Sequence, residues 1–481
     1  MATTASAGSD PLLEVASDPS RGRYYVARRD IAEAEVLLRV RPDVWAPAWP
    51  GDGEAVVSLS KRESAVIVCD AGFSGAAQQA LGIIAAGWLL LVRAALLPDE
   101  ALEAVLRRCD DNATRRAAEQ QALLRRVAAK LSSALHAAGE TARTTDQLVR
   151  MIGVVVTNAF GTRGGDGGGG GAEEPAGYGL FVRASLFNHS CAPNVHADLT
   201  CGGGGGELVF RASEPVLRGE ALYISYVDST EPRRLLQRHK SFTCDCARCG
   251  ADLSQSEEWE SSLRCRCGRG WMQPEGGAGD WRCVSCGAAE SFSRVLAWDA
   301  DLRGRLAAAS EGGAAAEVEA VLESALRRCH PNHAVALQAR LRLVQLASSD
   351  ADRCRRAEQA LSVAARVCGK YDEQLGDLCF TLGLASHALA TAPGRSAAEQ
   401  LPLLARAAGA FAAAGSHFGF CYADPQHKAT RAAAAMGKVC FGALASRLLR
   451  AGPDGGTAAA KRGVRALIDA YGPARRRGGH E

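Results

Sequence analysis

Residues 185–194 read Ser-Leu-Phe-Asn-His-Ser-Cys-Ala-Pro-Asn, or SLFNHSCAPN. Two asparagine amides, a histidine and a thiol lie close together here, and Pro193 prevents a helix from running through them. Such a loop offers hydrogen-bonding groups and one thiolate, but little apolar surface to pack. Two further stretches follow it: residues 219–226 read GEALYISY, and residues 242–249 read FTCDCARC.

Taken in this order, the three stretches resemble the catalytic core of SET-domain lysine methyltransferases, and among them the SET and MYND (SMYD-like) branch. The resemblance covers roughly residues 15–250 and extends more loosely to residue 471. It implies transfer of a methyl group from S-adenosylmethionine (SAM) to a protein lysine, on a histone or another protein. The protein is then expected to be an enzyme, a protein-lysine N-methyltransferase.

The resemblance also implies roles for individual residues, matched motif by motif. Tyr226, the last residue of the GEALYISY stretch, corresponds to the catalytic tyrosine that orients the amine and the methyl group. Asn194 would buttress the loop. The residues implied in SAM binding are Arg21, Arg23, Asn158, Asn188, His189 and Phe242.

Each of these residues also has a plainer interpretation. Taken alone, Tyr226 is a core tyrosine at the end of a strand, His189 a structural histidine and Phe242 a core aromatic. Asn188-His189-Ser190 is formally a glycosylation sequon, which is incidental in a thiol-rich protein of a reducing compartment. The order and spacing of the three stretches favour the functional interpretation.

Cysteine spacing predicts metal ligation. Cys244, Cys246 and Cys249 supply three thiolates, and a closed structural zinc site needs four ligands. The resemblance implies Cys191 as the fourth ligand; free thiols on a loop are the alternative. A second cluster, which predicts a second zinc, consists of Cys265, Cys267, Cys283 and Cys286. Its first pair is one residue shorter than the usual zinc-ribbon spacing.

Three features depart from the SMYD-like pattern, and one of them is a glycine-rich insertion at 164–171, ahead of SLFNHSCAPN, which is expected to be a flexible surface loop. Residues 41–75 hold one cysteine, Cys69, and no histidine, so the MYND zinc finger is absent and its partner binding is not carried over. Tyr24 stands where the family often has a second glycine in the turn that approaches SAM. These departures leave open a second hypothesis, a catalytically weak SET-fold scaffold whose C-terminal helical domain binds partner proteins.

The predicted fold class is α+β, with a β-rich SET fold split by a helical insertion, a zinc-stapled post-SET segment and an all-α tetratricopeptide-like domain at the C-terminus. Alternation predicts a small hairpin within residues 21–40 and strands around 208–210 and 221–227. The predicted domains are a disordered N-terminus (1–10), N-terminal SET strands (11–75), a helical insertion (76–160), the core SET region (161–240), the cysteine-rich segment (241–290), the helical domain (291–472) and a basic tail (473–481).

Helical periodicity is clearest in two segments. Leu123, Leu124, Val127, Leu131 and Leu135 recur at helical spacing, and so do Val318, Val321, Leu322, Ala325 and Leu326. Thr145 or Asp146 is expected to cap a helix that ends near Asn158. Helix breaks are expected near residues 312–313, 330–331, 393–394, 424–425 and 452–453, while 231–240 predicts a short basic helix.

Composition excludes several classes of function. The 481 residues carry a net charge of +3, which gives no electrostatic footprint for sequence-specific nucleic-acid binding. The longest uncharged apolar stretch, 80–92, is too short for a membrane span, and residues 1–10 show no signal peptide. We expect a monomer in the cytoplasm, the nucleus or both, and the resemblance implies a lysine-bearing protein substrate as its partner.

Overall fold

The computed structural model describes residues 10–47, 60–63, 85–140, 143–164, 177–201, 206–227, 236, 240, 242, 244–246, 249, 262–274, 280–422, 424–451, 462, 465–466 and 469. By internal contacts the chain divides into two compact units. The first comprises Met1–Tyr226 and Leu235–Cys244, and the second comprises Val227–Arg234 and Asp245–Glu481. The finer domain boundaries given above stay predictions.

The first unit begins with an antiparallel hairpin of β1 (Leu13–Asp18) and β2 (Gly22–Ala27). The Asp18 carboxylate accepts hydrogen bonds from the main-chain N–H groups of Ser20 and Arg21, which closes the turn between the strands. The hairpin expected within residues 21–40 therefore forms with the preceding strand. Its predicted partner, β3 (Val36–Val40), pairs elsewhere.

Two larger sheets build most of the remaining β structure described in this unit. One has the order β3-β10-β8, where β8 is Val195–Asp198 and β10 is Leu208–Ala212. The other has the order β4-β6-β5-β9, formed by Val44–Pro47, Gly177–Leu180, Ala159–Gly164 and Thr200–Cys201 respectively. The predicted strand at 208–210 is confirmed.

A group of helices is inserted between β4 and β5. These are α1 (Ala85–Ala95), α2 (Asp99–Arg108), α3 (Ala118–Ala137) and α4 (Thr145–Asn158). Leu124, Val127, Leu131 and Leu135 are buried on one face of α3, as their spacing predicts. The cap of α4 is Thr144, one residue earlier than expected, because Thr144 and Gln147 form a reciprocal capping box.

The second unit opens with a small antiparallel sheet in the order β12-β13-β14-β15. Its strands are Leu263–Arg264, Trp271–Pro274, Trp281–Cys283 and Ala289–Glu290. Buried residues of this sheet, Trp281 among them, share one apolar core with the helices that follow. The predicted helical face is confirmed, with Val318, Val321 and Ala325 buried.

Seven helices follow this sheet in the described residues, and each packs on the next as in stacked helical hairpins. Breaks lie at the predicted places up to residue 425, and further breaks fall after Gln345 and Val367, where Ser349 and Asp372 cap the next helix. The helices are α5 (Phe292–Gly312), α6 (Ala315–Arg328), α7 (Ala334–Gln345), α8 (Asp350–Val367), α9 (Glu373–Thr391), α10 (Ala397–Cys421) and α11 (Lys428–Ala451).

Two glycines set the close approach of α9 and α10. A Cβ on Gly376 would lie 2.5 Å from Cε1 of Phe418, and one on Gly383 would lie 2.8 Å from Cε1 of Phe411. Contacts that short do not occur for real Cβ atoms, so the two phenyl rings of α10 rest directly on the backbone of α9. The glycines lie two helical turns apart, which fixes the register of the pair.

Several sequence expectations fall outside the described residues. These are most of the glycine-rich loop at 164–171, the basic helix at 231–240 apart from residues 236 and 240, the break at 452–453 and both termini. Within the part of the chain that is described, no helix combines the length and the apolar character needed to cross a bilayer.

Candidate functional site

The SLFNHSCAPN and GEALYISY stretches are joined through short parallel strands, β7 (Asn188–His189) and β11 (Tyr223–Ile224). The Oδ1 atom of Asn194 accepts the main-chain N–H of Tyr223 at 2.8 Å, and its Nδ2 donates to the carbonyl of Ala221 at 2.9 Å. One buried asparagine therefore fastens the two stretches together. This bears out the expectation that Asn194 buttresses the loop.

Tyr226 lies where these two stretches meet. Its hydroxyl donates to the carbonyl oxygen of Phe187 at 2.7 Å, and its main-chain N–H donates to Nδ1 of His189 at 3.0 Å. Burial raises the pKa of the Tyr226 phenol, so the hydroxyl stays protonated at neutral pH. Because Nδ1 of His189 accepts, its Nε2 is the nitrogen that can donate to Sγ of Cys191, 3.2 Å away.

Three aromatic rings surround this point. The ring of Phe242 lies 6.2 Å from that of Tyr226, edge to face, and 6.0 Å from that of His189. The rings of His189 and Tyr226 are 5.4 Å apart. Such a group offers both flat faces for stacking and ring electrons that favour a nearby cation.

The turn between β1 and β2 is tied to the same place. Nδ2 of Asn188 donates to the carbonyl of Arg21 at 3.0 Å, and the Arg21 guanidinium donates to the hydroxyl of Tyr223 at 3.1 Å. Gly22 has a φ of +73°, a left-handed conformation that glycine adopts without strain. Arg23 lies exposed on β2.

Asn158, the last residue of α4, points its amide toward a loop that sequence reasoning missed. Its Nδ2 donates to the carbonyl of Asp110 at 2.7 Å and to that of Val154 at 2.8 Å. The Asp110 carboxylate in turn lies beside Gly22, whose Cβ position would be 3.8 Å from Oδ2. The Asp-Asp-Asn run at 110–112, one residue beyond the end of α2, was the sequence signal available for this loop.

A lysine in the same region also escaped the sequence analysis, which placed it in a short basic helix. Nζ of Lys240 donates to the carbonyl oxygens of Thr157 at 2.9 Å and Val156 at 3.4 Å. It lies 5.7 Å from the centre of the Tyr226 ring. Burial, with a smaller contribution from the charge of Arg116, lowers the pKa of Lys240 to about 8.

The first four-cysteine group fits a zinc ion. The Sγ atoms of Cys191, Cys244, Cys246 and Cys249 all lie within 4.8 Å of one another, and those of Cys191 and Cys244 are 3.8 Å apart. Four thiolates bound tetrahedrally at a Zn–S distance of about 2.3 Å would be about 3.8 Å apart. The four thiols leave no open position, which is typical of a structural ion.

The second group fits a zinc ion equally well. The Sγ atoms of Cys265 and Cys286 are 3.7 Å apart, and those of Cys267 and Cys283 are 3.8 Å apart. Along the chain, Gly268 directly follows Cys267 and Gly287 directly follows Cys286, and both glycines have a φ of +71°. Cys265 and Cys267 are one residue closer in sequence than is usual in a zinc ribbon. Their thiols nevertheless lie next to those of Cys286 and Cys283.

The SET domain family model matches residues 22–227, which is less than half of the chain. Residues 22–227 are a SET domain. The matched region contains the SLFNHSCAPN and GEALYISY stretches together with the helices inserted between β4 and β5. Its last residues include Tyr226.

Three curated proteins show the branch to which this SET domain is similar. It is 32% identical over 156 residues to SET domain-containing protein SmydA-8, isoform A, of Drosophila melanogaster, which is 29% of this chain and 31% of that protein. Mouse histone-lysine N-methyltransferase SMYD3 is 39% identical over 80 residues, 16% and 18% of the two chains. Histone-lysine N-methyltransferase ASHR2 of Arabidopsis thaliana is 33% identical over 89 residues, 17% and 22%. The SET domain is thus SMYD-like, although the chain spans no more than about a third of each relative's length.

The first unit brings most of the predicted site residues together. Tyr226, His189 and Phe242 are mutual neighbours, and Arg21 is joined to Asn188 by a hydrogen bond. Asn158 reaches the same region through the Asp110 loop. Their individual roles stay predictions, as does that of the exposed Arg23.

Proposed function

We propose that this chain is a SAM-dependent methyltransferase that transfers a methyl group to a lysine of a protein substrate. The observation that carries the proposal is the placement of Tyr226 at the join of β7 and β11, with its hydroxyl and its main-chain N–H both held. The similarity of the SET domain to two proteins named as histone-lysine methyltransferases supports the reaction class. The substrate itself, the monomeric state and a cytoplasmic or nuclear location stay predictions.

The residues present fit SAM as the cofactor. SAM would supply a methyl group on a positively charged sulfur, and the rings of His189, Tyr226 and Phe242 offer surfaces that suit both a cation and a flat adenine. We assign its binding to Asn188, His189 and Phe242, with Arg21, Arg23 and Asn158 at the edge of the site. The first four-cysteine group, with zinc bound, would hold the loop of Asn188 in place.

The chain's own contribution is then orientation and exclusion of water. A methyl transfer to an amine is an in-line displacement, so the protein has to align the reacting atoms and keep water away. The protonated Tyr226 hydroxyl, fixed on the Phe187 carbonyl, presents a polar group at a constant position. The acceptor lysine must lose its proton before it reacts, and apolar walls favour its neutral form.

The test is SAM binding measured by isothermal titration on zinc-loaded protein. We expect Asn188→Ala to weaken SAM binding by about tenfold or more, because it removes the amide that joins β7 to the turn between β1 and β2. Tyr226→Phe should keep SAM binding but lose methyl transfer in a screen of protein substrates. Tyr371→Phe in the second unit is the matched control and should change neither.

If the zinc-loaded wild type did not bind SAM, the proposed function would be wrong. The alternative would then be favoured, in which a SET-fold scaffold without catalysis binds partners through its helical domain. A pull-down comparing the full chain with a variant truncated near residue 290 separates the two: a scaffold loses its partners on truncation.

A further inference from the structure

Lys240 contacts the last turn of α4 through its side chain. The four C-terminal carbonyls of any helix lack intrahelical partners, and those of Val156 and Thr157 are among them. The Lys240 ammonium donates to both, and a positive charge at that end is also favoured by the helix dipole. The next residue of the helix is Asn158.

The same lysine contacts two further parts of the first unit. Its ammonium lies 5.7 Å from the centre of the Tyr226 ring, within the range of a cation–π interaction. Its main-chain carbonyl accepts a hydrogen bond from Nδ2 of Asn112 at 3.0 Å. One residue thus links the end of α4, the loop after α2 and the tyrosine.

This arrangement is unfavourable for stability. Burial lowers the pKa of Lys240 to about 8, and the like charge of Arg116 adds to the effect. A methionine has similar length and would avoid the desolvation of an ammonium, and replacing buried charges by apolar groups is often neutral or stabilising. The Lys240 ammonium costs stability and lies beside Tyr226, a candidate catalytic residue. Its presence there therefore points to a functional requirement rather than to a contribution to stability.

We propose that Lys240 is a positioning residue of the methyl-transfer site. Its ammonium fixes the carboxyl end of α4, and so the side chain of Asn158, relative to the ring of Tyr226. The inference rests on the proposed function, because Asn158 is assigned there to the edge of the SAM site. Lys240 acts on the cofactor through Asn158 and is not itself a catalytic residue.

The experiment compares Lys240→Met and Lys240→Arg in the full chain. Titration with SAM and thermal unfolding are measured on the same zinc-loaded preparations. We expect Lys240→Met to weaken SAM binding by about tenfold, the scale of a lost charged hydrogen bond, while its Tm is unchanged or higher. Lys240→Arg keeps a cation with several donors and should stay within about threefold of wild type. Lys438→Met, whose lysine is exposed on α11, is the matched control.

Three results would overturn the inference. The first is a Lys240→Met protein that binds SAM as tightly as wild type does. The second is weaker binding with a clear fall in Tm and no recovery in Lys240→Arg, which would indicate a structural role only. The third is a wild type that binds no SAM, which would overturn the proposed function as well and is therefore distinguishable from the other two.

Discussion

The two four-cysteine groups are assembled from segments at very different distances along the chain. In the first group, Cys191 and Cys244 are 53 residues apart in sequence. In the second group, Cys265 is 21 residues from Cys286, and Cys267 is 16 residues from Cys283. Their surroundings differ too. His189 lies 3.2 Å from Cys191 beside the candidate site, while Cys265 and Cys283 are buried in an apolar core with Trp281 and several helices.

The same ligands are therefore expected to have different roles in the two places. A metal in the first group would close a long loop and hold polar residues that have little packing of their own. A metal in the second group would hold the turns of a short sheet that shares one apolar core with helices. Removal of the first ion should weaken ligand binding, and removal of the second should lower the free energy of unfolding.

The largest effect is expected when the first group loses a ligand. Cys191→Ser should make SAM binding undetectable by titration, because the loop that carries Asn188 and His189 is no longer held. Cys267→Ser should bind SAM much as wild type does. Zinc analysis is the control, and each variant should lose about one of two ions per chain. Equal loss of SAM binding in both variants would remove the distinction between the groups.

The opposite pattern is expected for stability. Cys267→Ser should lower the free energy of unfolding of the second unit by on the order of 3 kcal/mol, because a ligand packed against its apolar core is lost. Denaturant unfolding followed by helical circular dichroism measures it. Cys191→Ser should leave that helical transition where it is. An unaltered transition in Cys267→Ser would show that the second group needs no metal.

A smaller effect is expected in the pH dependence of stability, and Lys240 is its source. The pKa of Lys240 is lowered from 10.5 to about 8, so the folded state binds fewer protons than the unfolded state between these values. The free energy of unfolding of the wild type, measured relative to that of Lys240→Met, should therefore rise by on the order of 2 kcal/mol from pH 8 to pH 10.5. It should fall by the same amount when the pH is lowered again. The raised pKa of Tyr226 keeps its hydroxyl neutral over this range.

Urea unfolding of wild type and Lys240→Met at several pH values between 7 and 10.5 provides the measurement. Lys438→Met, whose lysine is exposed on α11, is the matched control and should follow wild type across this range. A constant difference between wild type and Lys240→Met would mean that the ammonium is well solvated in the folded protein.

The smallest effects are expected at two similar helix caps, one in each unit. Thr144 and Gln147 form a capping box on α4, and Ser396 and Glu399 form one on α10. Thr144→Ala and Ser396→Ala should each cost about 1 kcal/mol. Chemical denaturation measures both, with Thr144→Ser and Ser396→Thr as conservative controls. Thr144→Ala should bind SAM normally, and a large loss there would extend the candidate site to the start of α4.

Local patterns made much of this architecture predictable. The apolar face of α3 follows directly from helical spacing, and most breaks among α5 to α11 coincide with glycine or proline. The position of Asn194 and the closeness of the cysteines also followed from the motifs. In these cases the deciding interactions lie within a few residues or repeat a recognisable spacing.

Features set by distant partners were not predictable in the same way. The predicted hairpin partner of β2, β3, pairs instead with the distant strand β10, while β2 pairs with β1 across the local turn at Asp18. Lys240 looked like one more charge of a basic segment, because only the folded chain brings its ammonium to the carbonyls of α4. The loop at Asp110 is another case, since its neighbours Gly22 and Asn158 are remote in sequence.

The pairing of β3 with β10 also has a consequence for the time course of folding. The ion pair between Arg39 and Glu207 on these strands spans 168 residues, whereas in the second unit each helix packs on its immediate successor. Contacts between distant segments form slowly, because the whole intervening chain has to be closed into a loop. On a ribosome, β3 would emerge long before its partner and wait with an unpaired edge. The helices of the second unit, made last, could find their neighbours almost as soon as they appear.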